Sequence, residues 1–206
     1  MDNVKAYFDR AAAGYEERSA GWHWRWLRDR EFQAVRRMAG EGPLGDVLEL
    51  GAGTGYYSRR LSEQGCRSLT CVDVSARMLD RCAIPACRRI VGDIQDFRLE
   101  ERFDLIVCAG ALEFVDSPEK VLNNAAAMLK REGAFVAVLP CRSWPGRAYQ
   151  YYHRRHQIDV RLFSFDGMAA ETRRAGMTLK ARQIVPPFSW VMKAVPGPGS
   201  ENKGPS

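Results

Sequence analysis

Residues 47–55 read Val-Leu-Glu-Leu-Gly-Ala-Gly-Thr-Gly: an apolar run carrying one acid, Glu49, then glycines at alternate positions, Gly51, Gly53 and Gly55. A helical pattern follows. Glycine lets a backbone turn tightly and approach a ligand closely, and free amides at a helix start can hold a carboxylate or phosphate. Dinucleotide-binding loops place their third glycine after two intervening residues. Here Tyr56 stands at that position, which argues against a nicotinamide-dependent oxidoreductase. Two further acids end apolar runs downstream: Asp73 and, twenty residues later, Asp93. A carboxylate with two acceptor oxygens suits a vicinal diol. Taken singly, Glu49 and Asp73 read equally well as helix N-terminal acids and Asp93 as a turn residue; together with the glycines they point to a bound cofactor.

The candidates for proton transfer are Glu113, His153 and His156. Glu113 follows an apolar run and reads either as a base or as a helix cap. The two histidines lie in Tyr-Gln-Tyr-Tyr-His-Arg-Arg-His, residues 149–156. Aromatic faces beside cations suit an anionic, flat or lipid-like acceptor, and a solvated amphipathic helix accounts for the same pattern. Trp22, Trp24 and Trp26 alternate with His23 and Arg25. They read as a seat at a membrane surface, as a cover for a hydrophobic acceptor, or as the packing of a cap helix, although alternating residues cannot all share one side of a helix.

The elements that must position these residues are legible as alternating patterns. Apolar, β-branched runs at 46–50, 68–73, 88–92, 103–109, 134–139, 177–185 and 189–195 predict seven strands. Helical patterns at 55–64, 76–82, 118–130 and 164–174 fall between them, which is the order of an α/β domain with a mainly parallel sheet. Ser117-Pro118 predicts an N-cap with a first-turn proline, and Gly65, Gly133 and Gly176 predict left-handed helix ends. The Pro186-Pro187 pair predicts the turn of an antiparallel hairpin. Two more helices, 4–18 and 24–38, precede the sheet as a cap over about residues 1–40. Residues 1–195 read as one domain, and 196–206, rich in Pro, Gly and Ser, as a disordered tail.

With 206 residues, 46% of them hydrophobic, the chain can bury a core. Its apolar runs are far shorter than the roughly 20 residues of a membrane span, and its start lacks the layout of a signal peptide. A cytoplasmic protein, monomeric or weakly dimeric, is the expectation. The net charge of +6 comes from arginines spread along the chain, so it designates no partner. The six cysteines show no C-x-x-C spacing and read as reduced thiols in the core. A thiol-metal or arsenical site among Cys66, Cys71, Cys82 and Cys87 is the weaker alternative, because the gaps cross predicted elements.

Four ordered segments resemble the class I S-adenosylmethionine-dependent methyltransferases. The acid followed by G-x-G-x-G at 49–55 is similar to that family's first motif. Cys-Val-Asp-Val-Ser-Ala-Arg-Met-Leu at 71–79 resembles the second, Gly-Asp-Ile at 92–94 the third, and the segment 103–118 the fourth strand and its loop. Tyr-Phe-Asp-Arg-Ala-Ala-Ala-Gly-Tyr at 7–15 is similar to the lid helix of the branch that includes ubiquinone and menaquinone biosynthesis methyltransferases. The resemblance spans about residues 5–195. It implies a Rossmann-like sheet of seven strands with the last antiparallel, and S-adenosylmethionine as cofactor without a metal.

The same resemblance implies roles. Gly51, Ala52, Gly53 and Gly55 shape the cofactor loop, and Glu49 supports the methionine amino group. Asp73, followed by Val74, takes the ribose hydroxyls; Asp93 and Ile94 hold the adenine; Ala109 and Gly110 flank the methionine portion. Tyr7 and Tyr15 are either lid contacts or core aromatics, and Met78 either packs on the adenine or belongs to the core. The implied reaction is methyl transfer to a small organic or lipid-related acceptor by in-line displacement. A non-catalytic cofactor-binding partner protein is the alternative from another class. Nucleic acid is disfavoured as acceptor, because Ala-Gly-Ala-Leu at 109–112 stands where base methyltransferases carry an Asn/Asp-Pro-Pro-aromatic tetrad.

Overall fold

The computed structural model describes residues 2–19 and 21–198. Seven strands form one sheet: β1 (Gly45–Leu50), β2 (Cys66–Asp73), β3 (Cys87–Val91), β4 (Phe103–Ala109), β5 (Leu129–Pro140), β6 (Met177–Val185) and β7 (Ser189–Pro196). The spatial order is β3-β2-β1-β4-β5-β7-β6. The pairs among the first five are parallel, and β7 runs antiparallel to both β5 and β6. The fold is therefore the Rossmann-like one that the strand pattern and the resemblance imply. Period-two alternation puts successive side chains on opposite faces. In β5, Phe135, Ala137 and Leu139 join one core while Ala134, Val136 and Val138 join the other.

Helices cover both faces. Before the sheet come α1 (Asp2–Ala11), a 3-10 turn at Ala12–Gly14, the short α2 (Tyr15–Ser19) and α3 (Trp22–Ala39). The predicted helix 4–18 is thus broken at its alanine-glycine run. Helix α3 packs across β5, β6 and β7 through the stripe Leu27, Glu31, Ala34, Val35 and Met38, the i, i+4, i+7 spacing of one helical face. Between the strands lie α4 (Tyr56–Glu63), α5 (Ala76–Leu79), α6 (Pro118–Met128), α7 (Trp144–Arg154) and α8 (Phe165–Arg174). Ser75, Ser143 and Ser164 cap α5, α7 and α8 by accepting backbone amides.

Four expectations are corrected. Helix α6 stops at Met128 because Leu129 pairs with Phe103 across β4 and β5. Gly133 is consequently inside β5 and not at a left-handed helix end; a Cβ there would stand 2.8 Å from the Phe103 carbonyl oxygen. Ser117 makes no side-chain cap, and its amide instead donates to Gln95 at 2.7 Å. The C-terminal tail does not begin at 196, since Pro196 pairs with Met177 and the Gly197 amide donates to the Gly176 carbonyl; residues 199–206 of that expectation lie outside the described residues. Gly65 and Gly176 do adopt the left-handed conformation, and the Pro186-Pro187 turn joins β6 to β7. Among the described residues, no helix is long and apolar enough to cross a membrane.

Candidate active site

The order of strands reverses between β1 and β4, and a cleft opens beyond their carboxyl ends, the place where open α/β sheets bind ligands. The glycine loop forms its floor. Gly51 and Ala52 donate their amides to the Val72 carbonyl at 2.8 and 3.0 Å, which ties the loop to β2. Gly51 has φ of +77°, and a Cβ there would meet the Ala111 side chain at 2.1 Å. Gly55, also left-handed, is the N-cap of α4. It faces inward: a Cβ on it would stand 2.6 Å from the Cys82 sulfur.

Two carboxyls face the cleft. Asp73 ends β2 with its oxygens accepting the amides of Gly53 at 2.8 Å and Ser75 at 2.9 Å. Its side chain is pushed upward in pKa mainly by burial, against those amide bonds. Glu49 is only 1% exposed, accepts a hydrogen bond from Ser58 Oγ, and is pushed up to about 8 by burial. Val74, Met78, Ile94, Ala109 and Gly110 complete this wall. From above, Phe8 of α1 and Tyr15 close over it, and Ser75 Oγ donates to Asp9 at 2.6 Å, fastening α1 to the cofactor side.

A second cavity of about 220 Å³ joins the first at Ala109, Gly110 and Phe114. Its walls are Tyr7, Trp24, Tyr149 and Phe188, the last two stacked at 5.0 Å, together with Glu31, Glu113 and His153. Glu113 is 4% exposed, and its Oε2 has no hydrogen-bond partner among the described residues. Burial pushes it up to about 8, with the Tyr149 hydroxyl pulling in the other direction. His153 sits in an aromatic box of Tyr7, Phe114, Tyr149 and Tyr152, with its Nδ1 unpartnered. Burial lowers it to about 4, so the imidazole is neutral.

Not every predicted residue reaches the clefts. His156 is exposed and lines neither, and Arg154 and Arg155 of the same segment point to solvent. The anionic acceptor expected from those cations therefore loses its support. Asp93 also lines neither cleft; its carboxylate accepts the Gln95 amide at 2.9 Å. Of the three tryptophans, Trp24 turns into the second cavity against Phe188, whereas Trp22 and Trp26 are exposed. Sequence reasoning missed Arg28, Glu31 and Tyr57. The signal for Glu31 was present: an acid on the apolar stripe of α3, four residues after Leu27 and four before Val35. It accepts Tyr57 Oη at 2.9 Å and Ser189 Oγ, and burial raises its pKa.

Residues 48–137, which hold Glu49, the glycine loop, Asp73 and β4, match the family described as a methyltransferase domain. The segment that builds the site is thus similar to a methyltransferase domain. The cofactor of this family is S-adenosylmethionine. Nodulation protein S of Sinorhizobium fredii is 29% identical over 129 residues, 57% of this chain and 59% of that protein. Trans-aconitate 2-methyltransferase of an Enterobacter species is 32% identical over 100 residues, 47% of this chain and 40% of that one. The chain thus spans about half the length of these curated relatives. A solved complex of DhpI with S-adenosylhomocysteine has the same fold, with a TM-score of 0.76 over 96% of this chain and 97% of that one at 20% identity. The class I cofactor fits this cradle chemically. The loop is open at Gly53, where a Cβ would meet nothing within 4 Å, Asp73 offers acceptor oxygens at the end of β2, and Glu49 offers a buried carboxyl to a cationic group.

Proposed function

We propose that this methyltransferase transfers a methyl group from S-adenosylmethionine to a small organic acceptor held in the second cavity, and that the accepting atom is an amine nitrogen. The observation that carries this reading is the unpartnered Oε2 of Glu113, buried at the junction of the two cavities. A buried acceptor oxygen without a donor is costly, and an amine supplies that donor. When bound, S-adenosylmethionine supplies a methyl group on a positively charged sulfur, open to displacement from the far side. The chain's residues have three tasks. Asp73 and Glu49 fix the cofactor's two polar ends; the aromatic walls and α1 exclude water; and the acceptor is aligned for in-line attack through Gly110.

Glu113 performs the one proton transfer the reaction needs. An ammonium ion is not a nucleophile, so its proton must leave before attack. With its carboxyl pushed up to about 8, the ionised fraction of Glu113 grows as pH rises toward that value, and this carboxylate, matched to the amine in proton affinity, takes the proton. Neutral His153 and the Glu31 carboxyl, whose pKa burial raises, then hold the acceptor's remaining polar groups. Support also comes from the lining of the cavity, where among the described residues the carboxyls Glu31 and Glu113 face one guanidinium, that of Arg28.

The test is transfer of a labelled methyl group to a panel of primary amines, phenols and carboxylic acids. Methylation of amines, lost in Glu113→Gln by about 10²- to 10⁴-fold while S-adenosylhomocysteine affinity is retained, is the expected result. Turnover restricted to acids or phenols overturns the amine assignment. Tight cofactor binding without turnover on any acceptor favours a non-catalytic partner protein.

A further inference from the structure

Behind the glycine loop, on the side away from the cofactor cleft, three thiols converge. Cys71 is in β2 and Cys87 opens β3. In the parallel register Leu69 pairs with Cys87 and Cys71 with Arg89, so the two cysteines fall on the same face of the sheet, two positions apart. Cys82 reaches the same point from the turn that follows α5. That turn is held by Arg89, whose Nη1 donates to the carbonyls of Leu79 and Cys82. All three sulfurs lie within 4.8 Å of one another, with Cys71 and Cys87 at 2.7 Å. Ser58 Oγ stands 3.2 Å from the Cys71 sulfur.

Spacing along the chain signals this cluster only weakly, because two strands and a turn are needed to assemble it, and Cys66 is not part of it. We propose that Cys71, Cys82 and Cys87 form a three-thiolate site for a thiophilic divalent cation of the zinc type. Sulfurs bound to Zn²⁺ at about 2.3 Å in a tetrahedral array stand about 3.8 Å apart. The cluster meets that spacing if Cys71 and Cys87 separate by about 1 Å. Soft thiolate donors select this class of metal over Mg²⁺ or Ca²⁺. The guanidinium of Arg89 beside Cys82 favours thiolate formation. Cys71 and Cys82 are buried and Cys87 is partly exposed, which gives a cation a way in.

The site is coupled to the cofactor loop through one contact. The Cys82 sulfur occupies the space in front of Gly55, where a Cβ would stand 2.6 Å away. A metal that fixes Cys82 fixes the N-cap of α4 and so the loop that cradles the cofactor. The thiol site itself does not depend on the proposed acceptor or on methyl transfer.

The experiment uses the reduced, metal-stripped full chain, dialysed against Cd²⁺ and, separately, Zn²⁺. Expected are one ion bound per chain, thiolate-to-cadmium charge-transfer absorption, and release of protons on binding. Cys82→Ser and Cys87→Ser should each weaken binding by about tenfold or more, while Cys141→Ser leaves it unchanged. Circular dichroism confirms that each variant is folded; Cys87, being partly exposed, is the substitution best tolerated. S-adenosylhomocysteine titrations with and without Zn²⁺ should differ in affinity. The site is overturned if the folded wild-type chain binds no stoichiometric cation, or if Cys141→Ser loses as much as Cys82→Ser. Equal cofactor affinity with and without the metal overturns the coupling through Gly55.

Discussion

The backbone amide of Gly53 donates to a carboxylate oxygen of Asp73 at 2.8 Å, so the side chain that ends β2 holds the tip of the loop that follows β1. One residue thereby shapes the cradle and lines the cleft. Asp73→Ala should weaken S-adenosylhomocysteine binding by about 1 to 3 kcal/mol through loss of charge-assisted hydrogen bonds. Calorimetric titration checks this, and a folded variant with unchanged affinity refutes the assignment.

Gly51 and Gly53 are both left-handed but differ in their surroundings. A Cβ on Gly51 overlaps the Ala111 side chain at 2.1 Å, whereas a Cβ on Gly53 meets nothing within 4 Å. Gly53→Ala should cost only the left-handed strain of about 1 to 2 kcal/mol, and Gly51→Ala more. The double variant Gly51→Ala, Ala111→Gly should recover part of the difference in a thermal melt. Equal costs for the two single variants would contradict the packing described.

Glu49 predicts a proton linkage. With its carboxyl pushed up to about 8 by burial, it is mostly protonated in the free protein at pH 7. A cationic amino group beside it favours the ionised form. Cofactor binding at pH 7 should therefore release close to one proton, read from the dependence of the binding enthalpy on buffer ionisation enthalpy. Glu49→Gln should abolish that dependence. For the free protein the sign is that of a raised acid: the stabilising contribution is full below the ordinary carboxyl range and is lost as pH rises through about 8.

His153 predicts the opposite slope. Burial depresses its imidazole to about 4 from an ordinary value of 6.5, so the unfolded chain binds the extra proton between those values. Its contribution is full above pH 6.5 and is lost as pH falls toward 4. The stability difference between wild type and His153→Gln, measured in urea at several pH values, should shrink across that window. A constant difference would show that the imidazole is not held neutral.

Much of the sheet was legible because strand signals are local: a period of two, β-branched residues, and turn-forming residues such as Gly51, Gly65, Gly92, Gly110 and Gly176 beside many of the ends. The stretch 118–133 was misread for a physical reason. Its helical pattern runs on through Leu129 and Lys130, and only pairing with Phe103, distant in sequence, turns it into strand. The glycine loop, Asp73 and Met78 line the first cleft together because loop, acid and helix are close in the chain, whereas Asp93 stands outside it. The second cavity was read less well. His153 and Glu113 reach it, but His156 and the arginines do not, and Glu31 and Phe188 arrive from elements far apart in the chain.

The sequence by itself determined the alternating elements, the glycine loop with its flanking acids, and through these the family and its cofactor. Backbone conformation and strand-helix order are set by neighbours along the chain, so they leave a readable pattern. Tertiary structure alone decided which side chains share an enclosed space. It left the Glu113 Oε2 buried without a donor among the described residues, turned Trp24 inward and Trp22 and Trp26 out, and gathered three cysteines from two strands and a turn within 4.8 Å. Burial and convergence depend on how the elements pack, and residue spacing carries no record of that.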